Sequence, residues 1–260
     1  MSQLIGAAFG LEEKPVDLAL KLGAQCFQIQ AGDPQGWKKP DVEFAGGSKE
    51  LASLIKEKKL AVYIHAAYVI NVASTNNRIR IPSRKLLQQT VDLAKEIDAK
   101  GVIVHAGHVT KDDDPKSGFD NWRKAAEQTE MHVPVLIENT AGGNHAMARS
   151  LENIENLWKM VGHTGIGFCL DTCHAFAAGL ELESLVKDIK KITKRIDLIH
   201  ANGSRDEFGS ARDRHSNFAE SLLDKNLIAK VVKEAKCDAI IETAEPGIKD
   251  DISFLKKMVS

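Results

Sequence analysis

The chain has 260 residues, 43% of them hydrophobic and 27% charged, with 35 basic against 36 acidic side chains for a formal charge of −1. Those proportions belong to an ordinary globular protein and exclude a disordered or fibrous chain. No uncharged apolar run approaches the ~18 residues of a membrane span, and a near-neutral balance argues mildly against a nucleic-acid partner. The N-terminal stretch through Asp17 has no basic region ahead of its short apolar run, so no secretory signal is expected. Cys26, Cys169, Cys173 and Cys237 are too few and too scattered for a disulfide framework, which suits a reduced, cytoplasmic protein.

In chain order, short β-branched apolar runs at 4–9, 26–30, 61–66, 101–106, 133–139, 166–171, 196–201 and 239–243 predict eight strands. Helical periodicity appears at 82–99, where Pro82 suits a first turn, and again at 121–131, 150–161, 184–193, 219–233 and 248–258. There is no composition break and no Pro/Gly/Ser linker. The pattern therefore predicts an α/β fold, one single-domain (β/α)8 TIM barrel over 1–260, with its active site at the C-terminal strand ends. An open doubly wound sheet is the alternative, but Gly6-Ala-Ala-Phe-Gly10 is not the glycine-rich phosphate turn of such folds.

Polar residues fall on these strands in a pattern. Six consecutive runs, the third to the eighth, end in a metal-competent side chain: His65, His105, Glu138, Asp171, His200 and Glu242. A barrel brings all its C-terminal strand ends to one mouth, so these six side chains are expected to converge. His174 follows Asp171 by three residues, and Asp213-Arg-His215 lies in the long loop after the seventh strand. Five imidazoles and four carboxylates without thiolates suit zinc, manganese or iron. They exceed the needs of one tetrahedral ion, so a cluster of two or three metals is expected. Metals spaced for a shared phosphate clamp the attacking and leaving oxygens of phosphoester hydrolysis. His108, His132, His145 and His163 lie off the strand ends and read as solvated or capping residues. Cys169 and Cys173 read as buried structural thiols.

The motifs Phe168-Cys-Leu-Asp-Thr-Cys-His174, Ile137-Glu-Asn-Thr-Ala-Gly142, His65-Ala-Ala-Tyr-Val-Ile-Asn71 and Asp213-Arg-His215 closely resemble those of endonuclease IV, the apurinic/apyrimidinic endonuclease family, and most of all its short actinobacterial-type members. The resemblance runs from Ile5-Gly6 to Glu242-Thr243. It implies three Zn2+ ions, with Mn2+ or Fe2+ able to serve in part. By resemblance, His65 and His105 hold the first and Glu138 bridges it to the second. Asp171, His200 and Glu242 complete the second, while His174, Asp213 and His215 hold the third. The implied reaction is hydrolysis 5′ to abasic sites in double-stranded DNA, leaving a 3′-hydroxyl and a 5′-deoxyribose phosphate, with trimming of blocked 3′ ends, in base excision repair. Glu138 and Glu242 are the expected catalytic residues. Gln35 and Trp37 would sit in the DNA-probing loop, Tyr68 and Asn71 would touch the DNA or the lesion, and Arg214 would also bind the DNA. Arg78 and Arg80, in a basic loop at 76–85, would meet phosphates. Three Zn2+ would turn the charge from −1 to about +5, which weakens the objection from bulk charge. The resemblance implies a monomer with no membrane association.

The chain departs from the family pattern in three places. Gln35 stands where some members carry a basic residue. His200-Ala-Asn-Gly203-Ser replaces His-x-Asn-Asp-Ser, and Asn217-Phe-Ala-Glu-Ser221 replaces Asn-x-Gly-x-Gly. Lost glycines restrict the backbone, so the loop holding Asp213 and His215 is expected to sit differently and the third metal position to be the weakest. Two rivals remain. A sugar isomerase or epimerase on the same barrel would not need His174, Asp213 and His215. An abasic-site-binding protein with little turnover would bind the lesion without cutting.

Overall fold

The computed structural model describes residues 3–10, 14–143 and 145–259. The N-terminal stretch considered above falls in part, at 1–2 and 11–13, outside the described residues. Eight strands close a parallel barrel: β1 (Ile5–Phe9), β2 (Cys26–Gln30), β3 (Ala61–His65), β4 (Val102–His105), β5 (Val135–Glu138), β6 (Gly167–Asp171), β7 (Leu198–His200) and β10 (Asp238–Ile241). Two short strands, β8 (Gly203–Ser204) and β9 (His215–Ser216), pair antiparallel as a ribbon in the long connection after β7. The helices are α1 (Pro15–Leu22), α2 (Gly47–Glu57), α3 (Asn77–Glu96), α4 (Pro115–Gln128), α5 (Leu151–Val161), α6 (Thr172–Ala178), α7 (Leu182–Thr193), α8 (Lys225–Ala235) and α9 (Ile248–Val259).

Strand alternation sorts the side chains into two cores. Phe27, Ile29, Val62, Ile64, Val104, Ile137, Phe168, Leu170, Ile199 and Ile241 face outward and are buried under the helices. Cys26, Tyr63, Ile103, Leu136, Cys169, Leu198 and Ile240 form a separate buried cluster inside the barrel. With a period of two, the next inward position on each of those strands is Gln28, His65, His105, Glu138, Asp171, His200 and Glu242. The apolar interior layer is thus a floor, and the polar layer stands directly on it at the mouth. At the opposite end the Tyr63 hydroxyl donates to Asp238 at 2.8 Å, and Lys100 pairs with the same carboxylate.

The expected strands all form, within about two residues of their predicted ends. The helices differ more. Pro82 is not in a first turn: α3 begins at Asn77, five residues earlier, and carries Pro82 within it. The Asn76 side chain caps the Arg78 amide, and the amides of Ile79 and Arg80 both bond Asn76 O. That tight start secures the turn before a residue with no amide hydrogen. Helix α4 starts at Pro115 rather than 121, capped by Asp114 on the Lys116 amide. The predicted helix at 219–233 divides into a 3-10 turn, Phe218–Glu220, and α8, which Asp224 caps through the Asn226 amide. Helices α1, α2 and α6 had no counterpart in the sequence pattern. No described helix is long and apolar enough to cross a membrane.

Candidate metal centre

The nine residues expected at the mouth are brought together there. Donor atoms within 4.8 Å of one another group as His65, His105 and Glu138; as Glu138, Asp171, His200 and Glu242; and as His174, Asp213 and His215. Glu138 belongs to two groups because its oxygens diverge. Oε2 lies 3.2 Å from His65 Nε2 and 3.1 Å from His105 Nε2, and Oε1 lies 2.8 Å from His200 Nδ1. The buried Nε2 atoms of His174 and His215 have no hydrogen-bond partner, although oxygens of Asp213 stand 3.0 and 3.1 Å away. Donor atoms that close without a hydrogen bond between them are arranged as ligands of a common centre are. With imidazole nitrogens and carboxylate oxygens alone, the set fits a borderline divalent cation such as zinc.

Local structure aims each donor. Asp171 ends β6 and is also the N-cap of α6: Oδ1 accepts the His174 amide at 2.6 Å, leaving Oδ2 for the site. His174, one turn along, bonds Asn139 O through Nδ1 at 2.8 Å and presents Nε2. His65 bonds Ala66 O through Nδ1 at 2.8 Å and likewise presents Nε2. Asn202 is wholly buried and donates to Asp171 Oδ2 at 2.7 Å and to Glu242 Oε2 at 3.0 Å. Asn139 accepts the Asp171 amide at 2.7 Å and donates to its carbonyl at 3.0 Å. Neither asparagine stood out in the sequence as a site residue. Both follow a strand-end ligand, by one residue for Asn139 and by two for Asn202, and that is the signal that could have found them.

The charges are strongly coupled. Burial would raise the Glu138 carboxyl, but the His200 and His105 imidazoles outweigh it and hold the group well below the usual range. Burial also disfavours charge on His174 and His200, yet the surrounding acids, with Cys169 beside His200, keep both well above an ordinary histidine. His215, half-buried but facing Asp213 and Asp171, is pushed up to about 9. Burial raises Asp171. Partial burial opposes charge on Asp213, but His174 and His215 hold it low. The mouth is therefore built for positive charge among carboxylates. Cys169 is wholly buried, with its thiol pushed up by burial to about 12. Cys173 is buried too, but its sulfur lies within 4.8 Å of donor atoms of Asp171 and His215. All four cysteines are free.

A family model described as a xylose isomerase-like TIM barrel matches residues 16–258. A probable endonuclease 4 of Mycobacterium leprae is 52% identical over 246 residues, covering 95% of each chain. The chain belongs to the endonuclease 4 family. A second relative of that name, from Mycobacterium marinum, is 50% identical over 257 residues and 99% of each chain. The crystal structure of endonuclease IV from Thermus thermophilus superposes with a TM-score of 0.83 at 23% identity, covering 98% of each chain. A D-tagatose 3-epimerase-like protein superposes almost as well, at 0.81 and 16% identity, covering 98% of this chain and 97% of the other. The barrel is shared with sugar epimerases. The sequence likeness at half identity is to endonuclease 4.

The departures from the endonuclease IV pattern leave His174, Asp213 and His215 together. Ser221 has φ −80°, and Ala219 lies in the 3-10 turn, so neither position uses the freedom of a glycine. A Cβ on Gly203 would meet Ser216 O at 2.6 Å and the Ser221 side chain at 2.7 Å. Gly203 thus lets the ribbon close, and Ser221 Oγ accepts the Ser204 amide at 3.0 Å. Of the residues expected at DNA, Tyr68 is 56% exposed, its ring 5.6 Å from that of His65 and 5.2 Å from that of His105. Gln35 and Trp37 lie exposed in the loop after β2. Arg78 and Arg80 lie in the first turns of α3, not in a loop. Arg78 is exposed, whereas Arg80 donates to Ser74 O and Thr75 O at 2.8 and 2.9 Å and contacts Asn77. Asn71 donates to His108 O at 2.9 Å, and Arg214 pairs with Asp206 at 2.7 Å.

Proposed function

We propose that this DNA-repair endonuclease hydrolyses the phosphodiester on the 5′ side of abasic sites in duplex DNA, giving a 3′-hydroxyl and a 5′-deoxyribose phosphate, and that it trims blocked 3′ ends. The observation that carries the reading is the convergence of nine nitrogen and oxygen donors into three groups, two of which share Glu138. On this reading three Zn2+ ions occupy the groups, and Mn2+ or Fe2+ can replace some of them. When bound, such ions supply Lewis-acid charge to the attacking and leaving oxygens of the phosphate.

The chain's own residues do the rest. Glu138 holds two positions at a fixed separation through its divergent oxygens. Glu242, held by the buried amide of Asn202, is placed to orient the nucleophile. Four carboxylates against the +6 of three ions leave about +2, which matches an incoming phosphodiester and disfavours a neutral sugar as substrate. The exposed ring of Tyr68 borders the His65 and His105 side of the mouth, where an extruded deoxyribose would arrive. A nucleotide without a base is the cheapest to extrude. Arg78 meets the flanking phosphate backbone. On this reading the protein acts as a monomer, since one chain supplies every donor, and its scattered free cysteines suit the cytoplasm.

A duplex with a single tetrahydrofuran abasic analogue tests this, because that analogue resists β-elimination and reports hydrolysis alone. The expected result is about three zinc ions per chain and one cut on the 5′ side, lost in EDTA and restored by zinc. Removing one preorganised electrostatic partner costs roughly 10²–10³ in kcat, so Glu138→Gln should cut at least ~100-fold more slowly while remaining folded. Near-normal turnover by that variant would sink the mechanism. Tight lesion binding without a cut by the native chain would establish the binding-protein alternative.

A further inference from the structure

Gln28 lies on β2, which contributes no expected ligand, yet it is only 2% exposed and belongs to the polar layer at the mouth. It stands two residues beyond Cys26 of the interior floor, at the level where the other strands present His65, His105, Glu138, Asp171, His200 and Glu242. Its amide makes two hydrogen bonds. Nε2 donates to Glu242 Oε1 at 2.7 Å, and Oε1 lies 2.8 Å from His200 Nε2.

The chemistry of the groups fixes the direction of both bonds. A carboxylate only accepts, so the nitrogen end of the amide must face Glu242 and its oxygen must face His200. Nε2 of His200 therefore carries a hydrogen, and Nδ1 is the ring nitrogen turned to the site. It stands 2.8 Å from Glu138 Oε1 and 3.2 Å from Glu242 Oε2. His200 is the reverse of His65 and His174, whose Nδ1 atoms are tied to backbone carbonyls and whose Nε2 atoms face inward. A backbone anchor survives any side-chain substitution. The anchor of His200 is a side chain and can be removed.

We propose that Gln28 is a positioning residue for the second metal position, holding His200 to coordinate through Nδ1 and holding Glu242 Oε1 so that Oε2 faces the ion. Asn202 grips Oε2 from the other side, so the two amides fix the plane of the Glu242 carboxylate between them. The inference rests on the metal reading above. Outer partners of metal ligands typically contribute about 10–100-fold in metal affinity.

The test uses the full-length protein with Gln28→Met, which keeps the volume and removes both hydrogen bonds, and Gln28→Ala, should methionine not fit. Zinc titration is expected to show one ion bound about 10–100-fold more weakly and the others as in the native chain. Incision should lose kcat with KM for the duplex unchanged. Long-range 1H–15N spectra of the imidazoles give a readout that a purely structural role would not move. In the zinc-loaded native chain His200 should show Nδ1 coordination with hydrogen on Nε2, and in the variants that signature should be lost or mixed. Native-like zinc affinity together with an unchanged His200 signature in a variant overturns the proposal. So does Nε2 coordination of His200 in the native chain, which needs no variant to fold. A native chain that binds no zinc overturns the metal reading as well, whereas loaded, indifferent variants overturn only the role of Gln28.

Discussion

Asp171 serves the chain and the site at once, one oxygen capping α6 and the other reaching the metal centre beside Asn202. The arginines after β3 show the opposite division of labour, two similar residues with separate tasks. Arg80 is committed to the carbonyls that precede α3, while Arg78 lies exposed. Removing one phosphate-binding cation reduces the salt slope of DNA binding by about one. Arg78→Ala should therefore flatten that slope and leave the melting temperature in place. Arg80→Ala should lower the melting temperature first, because it leaves two carbonyls and a helix start unsupported. The reverse pattern in salt-titrated binding and thermal unfolding would overturn this assignment. Six of the nine donors were legible because a charged or imidazole side chain that ends an apolar strand must be drawn there by a partner, and a barrel mouth supplies a common one; His174, Asp213 and His215, which end no barrel strand, were legible only from their closeness in sequence to that mouth and from the family motifs. Gln28 was not, since an uncharged amide between Phe27 and Ile29 reads as any polar strand residue until the interior register is known.

At the scale of elements, the β8–β9 ribbon is the most consequential feature that periodicity could not reach. Strands of two residues carry no period, and the Asp213–His215 loop was expected to shift with its lost glycines. Two of the substitutions belong together: glycine stands at 203, where the ribbon backbone closes, and serine at 221 fills the space and takes the Ser204 amide. Overpacking costs about 1–3 kcal/mol, so Gly203→Ala should destabilise by that order and weaken the ion nearest His215. Ser221→Gly on the same chain should recover part of the loss, since the Cβ at 203 meets both the Ser221 side chain and Ser216 O. A double-mutant cycle on unfolding free energy checks this, and strict additivity within ~0.5 kcal/mol would sink the pairing. The eight barrel strands were legible because each is an apolar run facing two cores. Helices α1, α2 and the start of α3 were not, because their capping lies in Lys14, Gly46 and Asn76, only the last of which uses its side chain.

For the whole molecule the metal centre is a stability question as much as a catalytic one. The nine candidate donors come from the strand ends of a closed barrel, from the first turn of α6 and from the β8–β9 connection, so ions held there would together tie β3, β4, β5, β6, β7 and β10 to one another and to the ribbon. The same residues without ions are a concentration of buried acids and imidazoles whose charges the fold must balance among themselves. An ion that binds only the folded state stabilises it by RT ln(1 + [L]/Kd), about 2.7 kcal/mol at 100 times Kd. Three such ions, the number proposed above, would contribute on the order of 8 kcal/mol, comparable with the whole stability of a typical domain. For chains approaching this size each kcal/mol moves the melting temperature by about 2–4 °C. Thermal unfolding in EDTA should therefore fall at least ~10 °C below that in saturating zinc, with the gap widening as free zinc rises. The barrel itself should persist without metal at low temperature, because both apolar layers are complete beneath the polar one. A melting temperature indifferent to EDTA in a chain shown to carry zinc would mean that the ions bind the unfolded chain nearly as well, and that the mouth is not the rigid, pre-set cage its hydrogen bonds describe.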